Sequence, residues 1–461
     1  MEKNNIYIEE IVKKQRMYFA EGRTLAVGQR MEALKKLEQG ILNCEQELYA
    51  ALKKDLGKSR AESYMCEVGL TLSELRFVKK HVRKWNREKR VPTPLAQFHA
   101  RSFTVQEPYG VVLVMSPWNY PVLLTLEPLI GALAAGNCCV LKPSAYSPAT
   151  SAVMKKMIAD VFPEEYVTVI EGGREENQNL LSQKFDYIFF TGGVQVGKMV
   201  MEKAAVNLTP VTLELGGKSP CIIDKSANLK LTAKRLAFGK YLNCGQTCVA
   251  PDYVLVHEAV KEEFLKLLKS EIRAMYGEDP LKNPDYGKMI NRKHFDRVLG
   301  LMKEEKLILG GENDTTSLRI APAVMDQVTE DDAVMQEEIF GPLLPVLTVG
   351  SMEEAIAFVN RRPKPLALYL FTENRETEKN VLEYTSFGGG CINDTIIHLA
   401  TSQMGFGGVG NSGMGSYHGK KSFETFSHEK SIVKKYTWMD LPMRYQPYTG
   451  WKEKLVRMFV K

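Results

Sequence analysis

The stretch Gly110-Val-Val-Leu-Val-Met-Ser116 is a continuous apolar run of strand length, and Pro117-Trp-Asn-Tyr-Pro121 follows it directly. A helix-length apolar segment runs from Leu123 to Ala135, and Cys138-Cys-Val-Leu-Lys142 is a second apolar strand. Strands that are apolar throughout are buried on both faces, and their alternation with helices is typical of a parallel sheet. This region therefore predicts a doubly wound α/β fold.

The same alternation continues along the chain. A second series begins near Val211 and runs to about Val409, and apolar residues spaced at three and four positions predict helices over residues 6–90. The further predicted strands are 101–107, 167–171, 187–191, 254–256, 343–349 and a strand-like tail at 422–436.

The composition is that of a globular protein. The 461 residues are 44% hydrophobic and 25% charged, and 61 basic against 55 acidic residues give a net charge of +6. A chain of this length can form two or three domains. The most basic run, residues 79–90, is more typical of a solvated helix face than of a nucleic-acid site, so we expect no nucleic-acid partner.

The cysteines and the N-terminus indicate a compartment. The eight cysteines are irregularly spaced and form no CxxC pair, so we expect neither a disulfide framework nor a metal site. Residues 1–5 are polar rather than a signal peptide, and no 18-residue apolar run is present to span a membrane. These features predict a cytoplasmic protein with reduced thiols.

Two cysteines lie in Tyr241-Leu-Asn-Cys-Gly-Gln-Thr-Cys-Val-Ala-Pro251, at the end of a predicted helix over 229–241. A thiol at the end of an element can be reached by a substrate, and the thiolate is a nucleophile. The alternatives are that Cys244 and Cys248 are small buried hydrophobes, or that they form a redox-sensing pair. The other motifs decide between these readings.

A glycine turn, Phe190-Thr-Gly-Gly-Val-Gln-Val-Gly197, lies between a predicted strand and a helix. Gly192, Gly193 and Gly197 would let a phosphate approach the backbone amides at the helix start. The turn is not GxGxxG, and a purely structural turn is the alternative. Its strand–turn–helix context favours dinucleotide binding.

Glu214 lies between two leucines and is followed by two glycines, in Leu213-Glu-Leu-Gly-Gly217. In a partly apolar pocket the charged form of a carboxylate is disfavoured, so the group can act as a base near neutral pH. A buried structural ion pair is the alternative.

Two further motifs offer polar groups. The Asn119 amide could donate a hydrogen bond to a developing oxyanion, although a plain asparagine turn would look the same. In Glu337-Glu-Ile-Phe-Gly-Pro342, Glu338 offers a carboxylate for ribose hydroxyls and Phe340 an aromatic edge for a nicotinamide ring.

Together with Gly245-Gln-Thr-Cys248, these four motifs resemble the aldehyde dehydrogenase superfamily, in the same order and over almost the whole chain. The short N-terminus, the glycine-rich segment 405–420 and Phe426-Ser-His428 resemble its class 3 branch. The resemblance implies two Rossmann-like, doubly wound parallel-sheet domains and a small β oligomerisation arm.

The resemblance also implies a covalent mechanism. Cys248 would attack an aldehyde to form a thiohemiacetal, whose oxyanion is held by Asn119 and the Cys248 backbone N–H. Hydride transfer would leave a thioester, which water activated by Glu214 hydrolyses to a carboxylate. We expect the substrates to be medium- or long-chain aliphatic, or aromatic, aldehydes.

For the cofactor, the resemblance implies that Lys142 contacts the adenosine ribose, that the Gly192–Gly197 turn lies by the pyrophosphate, and that Glu338 holds the nicotinamide ribose beside Phe340. Many relatives that prefer NAD carry a glutamate at the position of Ala145. Without that carboxylate nothing there repels a 2′-phosphate, so we expect NAD or NADP to be accepted.

The resemblance implies a division of the chain. We expect an NAD(P)-binding domain from 1–84 and 105–210, a catalytic domain at 211–410, an arm from 85–104 and 411–440 that joins two subunits into a homodimer, and a tail at 441–461. Two other functions stay open: a CoA-acylating or phosphate-linked relative, which would not need Glu214 as a base, and a catalytically silent scaffold on the same fold.

Overall fold

A computed structural model describes residues 2–460, and it confirms the predicted α/β class with parallel, Rossmann-like sheets. Its α-helices are α1 (Glu2–Ala20), α2 (Val27–Asn43), α3 (Glu45–Leu56), α4 (Arg60–Ser63), α5 (Gly69–Trp85), α6 (Leu123–Ala135), α7 (Pro148–Val161), α8 (Arg174–Ser182), α9 (Val194–Ala205), α10 (Leu229–Tyr241), α11 (Lys261–Tyr276), α12 (Arg292–Leu301), α13 (Met352–Asn360), α14 (Arg375–Tyr384), α15 (Lys420–Thr425) and α16 (Gly450–Phe459).

The strands follow the same order along the chain. They are β1 (Lys89–Val91), β2 (Ala100–Pro108), β3 (Val111–Met115), β4 (Cys138–Lys142), β5 (Val167–Val169), β6 (Tyr187–Gly192), β7 (Val211–Leu215), β8 (Pro220–Ile223), β9 (Tyr253–His257), β10 (Leu307–Leu309), β11 (Asn313–Asp314), β12 (Arg319–Ile320), β13 (Ala323–Met325), β14 (Leu343–Val349), β15 (Ala367–Phe371), β16 (Gly389–Ile392), β17 (Gly413–Met414) and β18 (Ser427–Lys435).

The first sheet has the order β17-β7-β6-β3-β4-β5 and is parallel except for β17. Its centre is β3, in which all five residues are buried, as the continuous apolar run predicts. Helix α6 is buried along its whole length. Gly136 follows its last residue and ends the helix by adopting a left-handed backbone conformation, with φ 98°. This packing fixes the turn between β3 and α6, which carries Asn119.

The second sheet has the order β10-β13-β14-β9-β8-β15-β16. All its neighbouring strands pair in parallel except β10, which is antiparallel to β13. The predicted strands at 254–256 and 343–349 are its β9 and β14. Helix α10 spans Leu229–Tyr241, and the side chain of its N-cap, Asn228, accepts a hydrogen bond from the Leu231 N–H. The segment 241–251, called here the cysteine segment, begins at Tyr241, the last residue of α10.

A separate sheet joins residues 89–108 to residues 427–435, in the antiparallel order β1-β2-β18. The sequence prediction of a strand over 422–436 is wrong for residues 422–425, which lie in the short helix α15. That helix packs on α6, where a Cβ on Gly131 would lie 2.8 Å from Ser422 Cβ. Close packing on a buried helix outweighs the local strand pattern.

Two sheet contacts cross the predicted domain boundaries. Strand β7 begins at Val211 but pairs with β6 in the first sheet, and β17 joins the same sheet from beyond residue 410. The division of the chain into domains therefore stays a prediction, with Glu214 on the first sheet rather than on the second.

Candidate active site

The cysteine segment leaves α10 through two residues in the left-handed region, Asn243 at φ 52° and Cys244 at φ 56°. Gly245 follows at φ 72°, and a Cβ there would lie 2.2 Å from the carbonyl oxygen of Gly341. Only glycine allows this approach. The tight turn packs the segment against the Glu337–Pro342 motif and leaves Cys248 half-buried at a cavity wall.

A cavity of about 600 Å³, called here the polar cavity, lies beyond the carboxyl ends of β3, β6 and β7. Parallel strands bring their carboxyl ends to one edge of a sheet, which is where ligands bind in such folds. The predicted site residues that line it are Asn119, Gly192, Gly193, Glu214, Cys248, Glu338 and Phe340. Motifs separated by more than 200 residues thus meet in one cavity.

Glu214 is 3% exposed, and neither of its carboxylate oxygens has a hydrogen-bond partner among residues 2–460. Burial raises its pKa well above the ordinary value. The glycine-rich segment after Gly405 packs around it, and a Cβ on Gly407 would lie 3.1 Å from its Oε1. A carboxylate in such an apolar environment can act as a base near neutral pH. The alternative of a structural ion pair is not supported, because no cation pairs with Glu214 in the described part of the chain.

Asn119 is buried, and its Nδ2 donates a hydrogen bond to the Gln246 carbonyl oxygen at 3.0 Å. This bond joins the Asn119 side chain to the cysteine segment, two residues before Cys248. The Asn119 amide carries a second N–H, so it can still donate a hydrogen bond into the polar cavity, which Asn119 and Cys248 both line.

Burial raises the pKa of the Cys248 thiol to about 12, and the carboxylates of Glu338 and Glu214 add to this effect. Cys248 is therefore protonated as a thiol near neutral pH. Formation of the thiolate requires that the proton move to a nearby base, and Glu214 lines the same cavity.

The polar cavity also has groups that fit a dinucleotide. Helix α9 begins at Val194 directly after Gly193, so its free backbone N–H groups lie at the cavity. A Cβ on Gly193 would meet nothing within 4 Å, which leaves room for a ligand against the helix start. The Thr191 hydroxyl has no partner within the described residues.

Glu338 adds a carboxylate to this side of the cavity. Its Oε1 has no partner within residues 2–460, while the carboxylate accepts a hydrogen bond from the Gly217 backbone. Burial, with Asp252 nearby, raises its pKa to about 8. Phe340 has a φ of 47° and packs edge-on against Trp118 at 5.3 Å between ring centroids.

Two predicted residues do not line the polar cavity. Gly197 lies inside α9, where a Cβ would approach Leu215 Cδ2 to 2.6 Å, so it serves close packing of helix on strand. Lys142 ends β4, and its Nζ donates to the carbonyl oxygens of Pro143 and Gly172, each at 2.7 Å. Burial lowers the Lys142 pKa to about 8, against the opposing effect of Glu176 and Glu171.

A second cavity of about 240 Å³, called here the apolar cavity, also has Cys248 in its wall. Cys248, Leu124, Phe406 and Tyr417 line both cavities. Most of the other wall residues are apolar, among them Leu70, Leu123, Phe238, Leu242 and Ile396. Its polar members include Glu127 and His418.

Sequence reasoning missed His294 in the wall of the polar cavity. Its ring lies between Trp118 and Tyr146, with centroids 5.1 and 6.0 Å away. Burial lowers its pKa to about 4, with a further contribution from Arg297 and Lys293. No local pattern marks this histidine, because its aromatic neighbours come from distant parts of the chain.

Cys244 does not belong to the site. It is fully buried, and its thiol donates to the Tyr286 hydroxyl at 3.4 Å. Both Cys244 and Cys248 are free thiols. For Cys244 this geometry agrees with the alternative that the residue is a small buried hydrophobe.

The sequence profile of the aldehyde dehydrogenase family matches residues 2–432. The 4,4′-diaponeurosporen-aldehyde dehydrogenase of Staphylococcus aureus is 47% identical over 456 residues, which cover 98% of this chain and 99% of that protein. Aldehyde dehydrogenase family 3 member B1 of Mus musculus is 44% identical over 444 residues, covering 96% and 95%.

Solved structures agree with these matches. The substrate-bound state of Staphylococcus aureus AldH superposes with a TM-score of 0.97 at 47% identity, covering 98% of this chain and 99% of that one. An indole-3-acetaldehyde dehydrogenase in complex with NAD⁺ superposes with a TM-score of 0.86 at 26% identity, covering 94% and 89%.

Proposed function

The chain belongs to the aldehyde dehydrogenase family and is an aldehyde-oxidising oxidoreductase, and on that premise we propose that Cys248, Glu214 and Asn119 carry its reaction. The proposal is supported chiefly by one observation: the half-buried Cys248 lines both cavities. A thiol placed there can meet an aldehyde from the apolar cavity and a nicotinamide cofactor from the polar cavity.

In the first step the Cys248 thiol gives its proton to Glu214, and the thiolate sulfur forms a bond to the aldehyde carbon. The carbonyl oxygen becomes an oxyanion, which accepts hydrogen bonds from the Asn119 amide and the Cys248 backbone N–H. The Asn119 side chain is buried and hydrogen-bonded to the Gln246 carbonyl oxygen, so its amide is oriented before the charge develops. The product of this step is a thiohemiacetal on Cys248.

When bound, the nicotinamide cofactor supplies the hydride acceptor. Loss of hydride from the thiohemiacetal carbon restores its C=O bond and leaves a thioester on Cys248. Glu214, having released its first proton to solvent, then takes a proton from a water molecule, and the hydroxide attacks the thioester. The C–S bond breaks, Glu214 passes the proton it took from water to the Cys248 sulfur, and the product loses its acid proton to solvent and leaves as a carboxylate.

The residues of the polar cavity fit a nicotinamide dinucleotide. The start of α9 and the open position at Gly193 would hold its pyrophosphate, and the unpartnered Glu338 oxygen its ribose hydroxyls. Lys142 would reach the adenosine ribose with the one N–H that the two carbonyl oxygens leave free. Position 145 is an exposed alanine, so acceptance of NADP as well as NAD is part of the proposal.

For the substrate, the apolar wall of the second cavity favours medium- or long-chain aliphatic aldehydes, or aromatic ones. Burial of methylene groups there stabilises the complex by about 0.8 kcal/mol each. Glu214, buried beside the thiol, favours hydrolysis of the thioester over its transfer to CoA or phosphate.

The proposal also covers the assembly of the protein and its location in the cell. A homodimer formed through the β1-β2-β18 sheet is supported by the exposed strands at the sheet edges, because exposed edges pair readily. A cytoplasmic location is supported by the eight free cysteines. Within residues 2–460, no helix is long and apolar enough to cross a membrane.

The test is reduction of NAD and of NADP, side by side, with aldehydes from short to long chain, with an aromatic aldehyde and with 4,4′-diaponeurosporen-aldehyde. We expect activity in the wild-type protein without CoA or phosphate, and none in Cys248→Ala. Activity that depends on CoA or phosphate would exclude hydrolysis, and full activity in Cys248→Ala would exclude the thiol mechanism.

A further inference from the structure

Three charged side chains from residues 58–67 are buried beside the proposed oxyanion site. Lys58 and Glu67 have no exposed surface, and Nζ of Lys58 lies 2.6 Å from Oε1 of Glu67. Glu62 is 9% exposed. Charges this deep are unfavourable unless each is paired and hydrogen-bonded, so their partners show what they hold in place.

Lys58 holds the backbone of Asn119. Its Nζ donates to the Asn119 carbonyl oxygen at 2.8 Å and lies 3.9 Å from the centre of the Tyr120 ring. The Tyr120 hydroxyl is 2.6 Å from Thr247 Oγ1, next to the nucleophile. One ammonium group thus contacts two successive residues of the turn that carries the oxyanion donor.

Glu67 holds the other end of the same turn. Its Oε2 accepts hydrogen bonds from the backbone N–H groups of Val122 and Leu123, at 2.9 and 3.0 Å. Leu123 is the first residue of α6, so the carboxylate satisfies donors that the helix itself leaves free.

Glu62 extends the contact to the cysteine segment. Its Oε1 accepts from the Asn243 backbone N–H at 2.9 Å, at the residue with φ 52°. The Asn243 side chain in turn donates to the carbonyl oxygens of Asn119 and Gln246, at 2.9 and 3.1 Å. The two loops are therefore bonded to each other and to residues 58–67.

We propose that Lys58, paired with Glu67, is a positioning residue that holds the Asn119 amide where the oxyanion forms. The inference rests on the role proposed above for Asn119. A buried ion pair contributes little to stability compared with a well-packed apolar pair. By contrast, a small displacement of an oriented hydrogen-bond donor lowers the rate of the catalysed reaction.

The test is a double-mutant cycle between Lys58→Met and Asn119→Ala, followed by the rate of the first turnover of cofactor reduction. In the wild-type background we expect Lys58→Met to lower this rate at least tenfold, while the KM values for aldehyde and cofactor change less than threefold. In the Asn119→Ala background we expect Lys58→Met to change the rate less than twofold, because the group it positions is gone.

A loss of rate that is equal in both backgrounds, or no loss in either, would overturn the proposal. Should Asn119→Ala alone leave the rate unchanged, the oxyanion role itself is wrong, which separates the two failures. The isosteric Glu67→Gln variant breaks the same ion pair and is taken through the same cycle, so the test stands even where Lys58→Met does not fold.

The matched control is Lys261→Met, which removes a partly buried ion pair between Lys261 and Asp326, 2.7 Å apart, in α11 and after β13. Neither residue lines the polar or the apolar cavity. We expect this variant to keep the wild-type first-turnover rate even where its midpoint of thermal unfolding falls. A rate loss in the control equal to that of Lys58→Met would assign the effect to general destabilisation and overturn the proposal.

Discussion

His418 Nε2 lies 3.2 Å from Glu127 Oε2, in the wall of the apolar cavity. The two side chains are 5% and 7% exposed, so the pair is buried. Burial on its own would lower the His418 pKa, but Glu127 and the more distant Glu74 outweigh it and raise the pKa above the ordinary value of 6.5. The imidazolium is therefore stabilised in the folded protein.

The change tested first is His418→Gln. Because the folded pKa is raised, the histidine stabilises the fold fully below pH 6.5 and loses this contribution as the pH rises through the folded pKa. Breaking a buried pair costs about 3 kcal/mol, so we expect a difference of that order in the free energy of unfolding at pH 6. Denaturant unfolding of both proteins from pH 6 to 9 measures it.

The difference between wild type and His418→Gln should shrink steadily as the pH rises. A difference that stays constant over this range would show that packing, not charge, makes the contribution. The control is His257→Gln, since that histidine is partly exposed at the end of β9.

The second change is Glu214→Gln, which keeps the shape of the side chain but removes the base. Formation of the thiolate and attack on the thioester both lose their proposed base, and general-base assistance contributes roughly 10²- to 10⁴-fold to such a step. Because a thiol is a stronger acid than water, the loss is larger for attack on the thioester. We expect the first equivalent of reduced cofactor to form more slowly than in wild type and steady turnover to be slower still, with the acyl group still on Cys248. Intact-protein mass spectrometry after quenching detects that adduct.

The control for this experiment is Glu337→Gln, an exposed neighbour in the polar cavity wall. It should keep steady turnover and accumulate no adduct. If Glu214→Gln turns over as fast as wild type, the water is activated by another group.

The third change is Leu70→Trp, which adds volume in the wall of the apolar cavity. A cavity of about 240 Å³ leaves little room for a larger ring, so long aldehydes should be excluded before short ones. We expect kcat/KM to fall at least tenfold for a long-chain aldehyde, and less than threefold for a two- or three-carbon aldehyde, by the usual size discrimination of apolar pockets.

The comparison variant is Leu382→Trp, at an exposed position of α14. It should leave the chain-length profile unchanged. An equal loss for short and long aldehydes in Leu70→Trp would place the alkyl chain outside this cavity.

Much of this site could be predicted from the sequence, because its residues follow buried strands. Asn119 comes shortly after β3, Gly193 directly after β6, and Glu214 lies in β7. Parallel strands bring these positions to one edge of the sheet. The apolar runs thus predicted the sheet, and the motifs that follow them supplied residues that line the polar cavity.

The residues that support the site could not be predicted in this way. Lys58 contacts Asn119 across 61 positions, and Glu62 contacts Asn243 across 181. A charged residue on a helix gives the same local pattern whether it faces solvent or a buried partner. The burial of Lys58, Glu62 and Glu67 follows only from tertiary packing, and so does the position of His294.

The last change is Ala145→Glu, in the exposed loop after Lys142. A carboxylate there can accept hydrogen bonds from ribose hydroxyls but repels a 2′-phosphate. The repulsion between two like unit charges roughly 4 Å apart is about 1 kcal/mol in water and about 4 kcal/mol at the effective dielectric constant of a protein surface. We expect the KM for NADP to rise at least fivefold while the KM for NAD stays the same or falls.

Ala145→Gln, which matches the size without the charge, should change the ratio of the two KM values less than twofold. A wild-type protein strictly specific for NAD, or an Ala145→Glu variant with an unchanged ratio, would mean that another part of the site, such as Lys142 with Glu171 and Glu176 near it, decides between the cofactors.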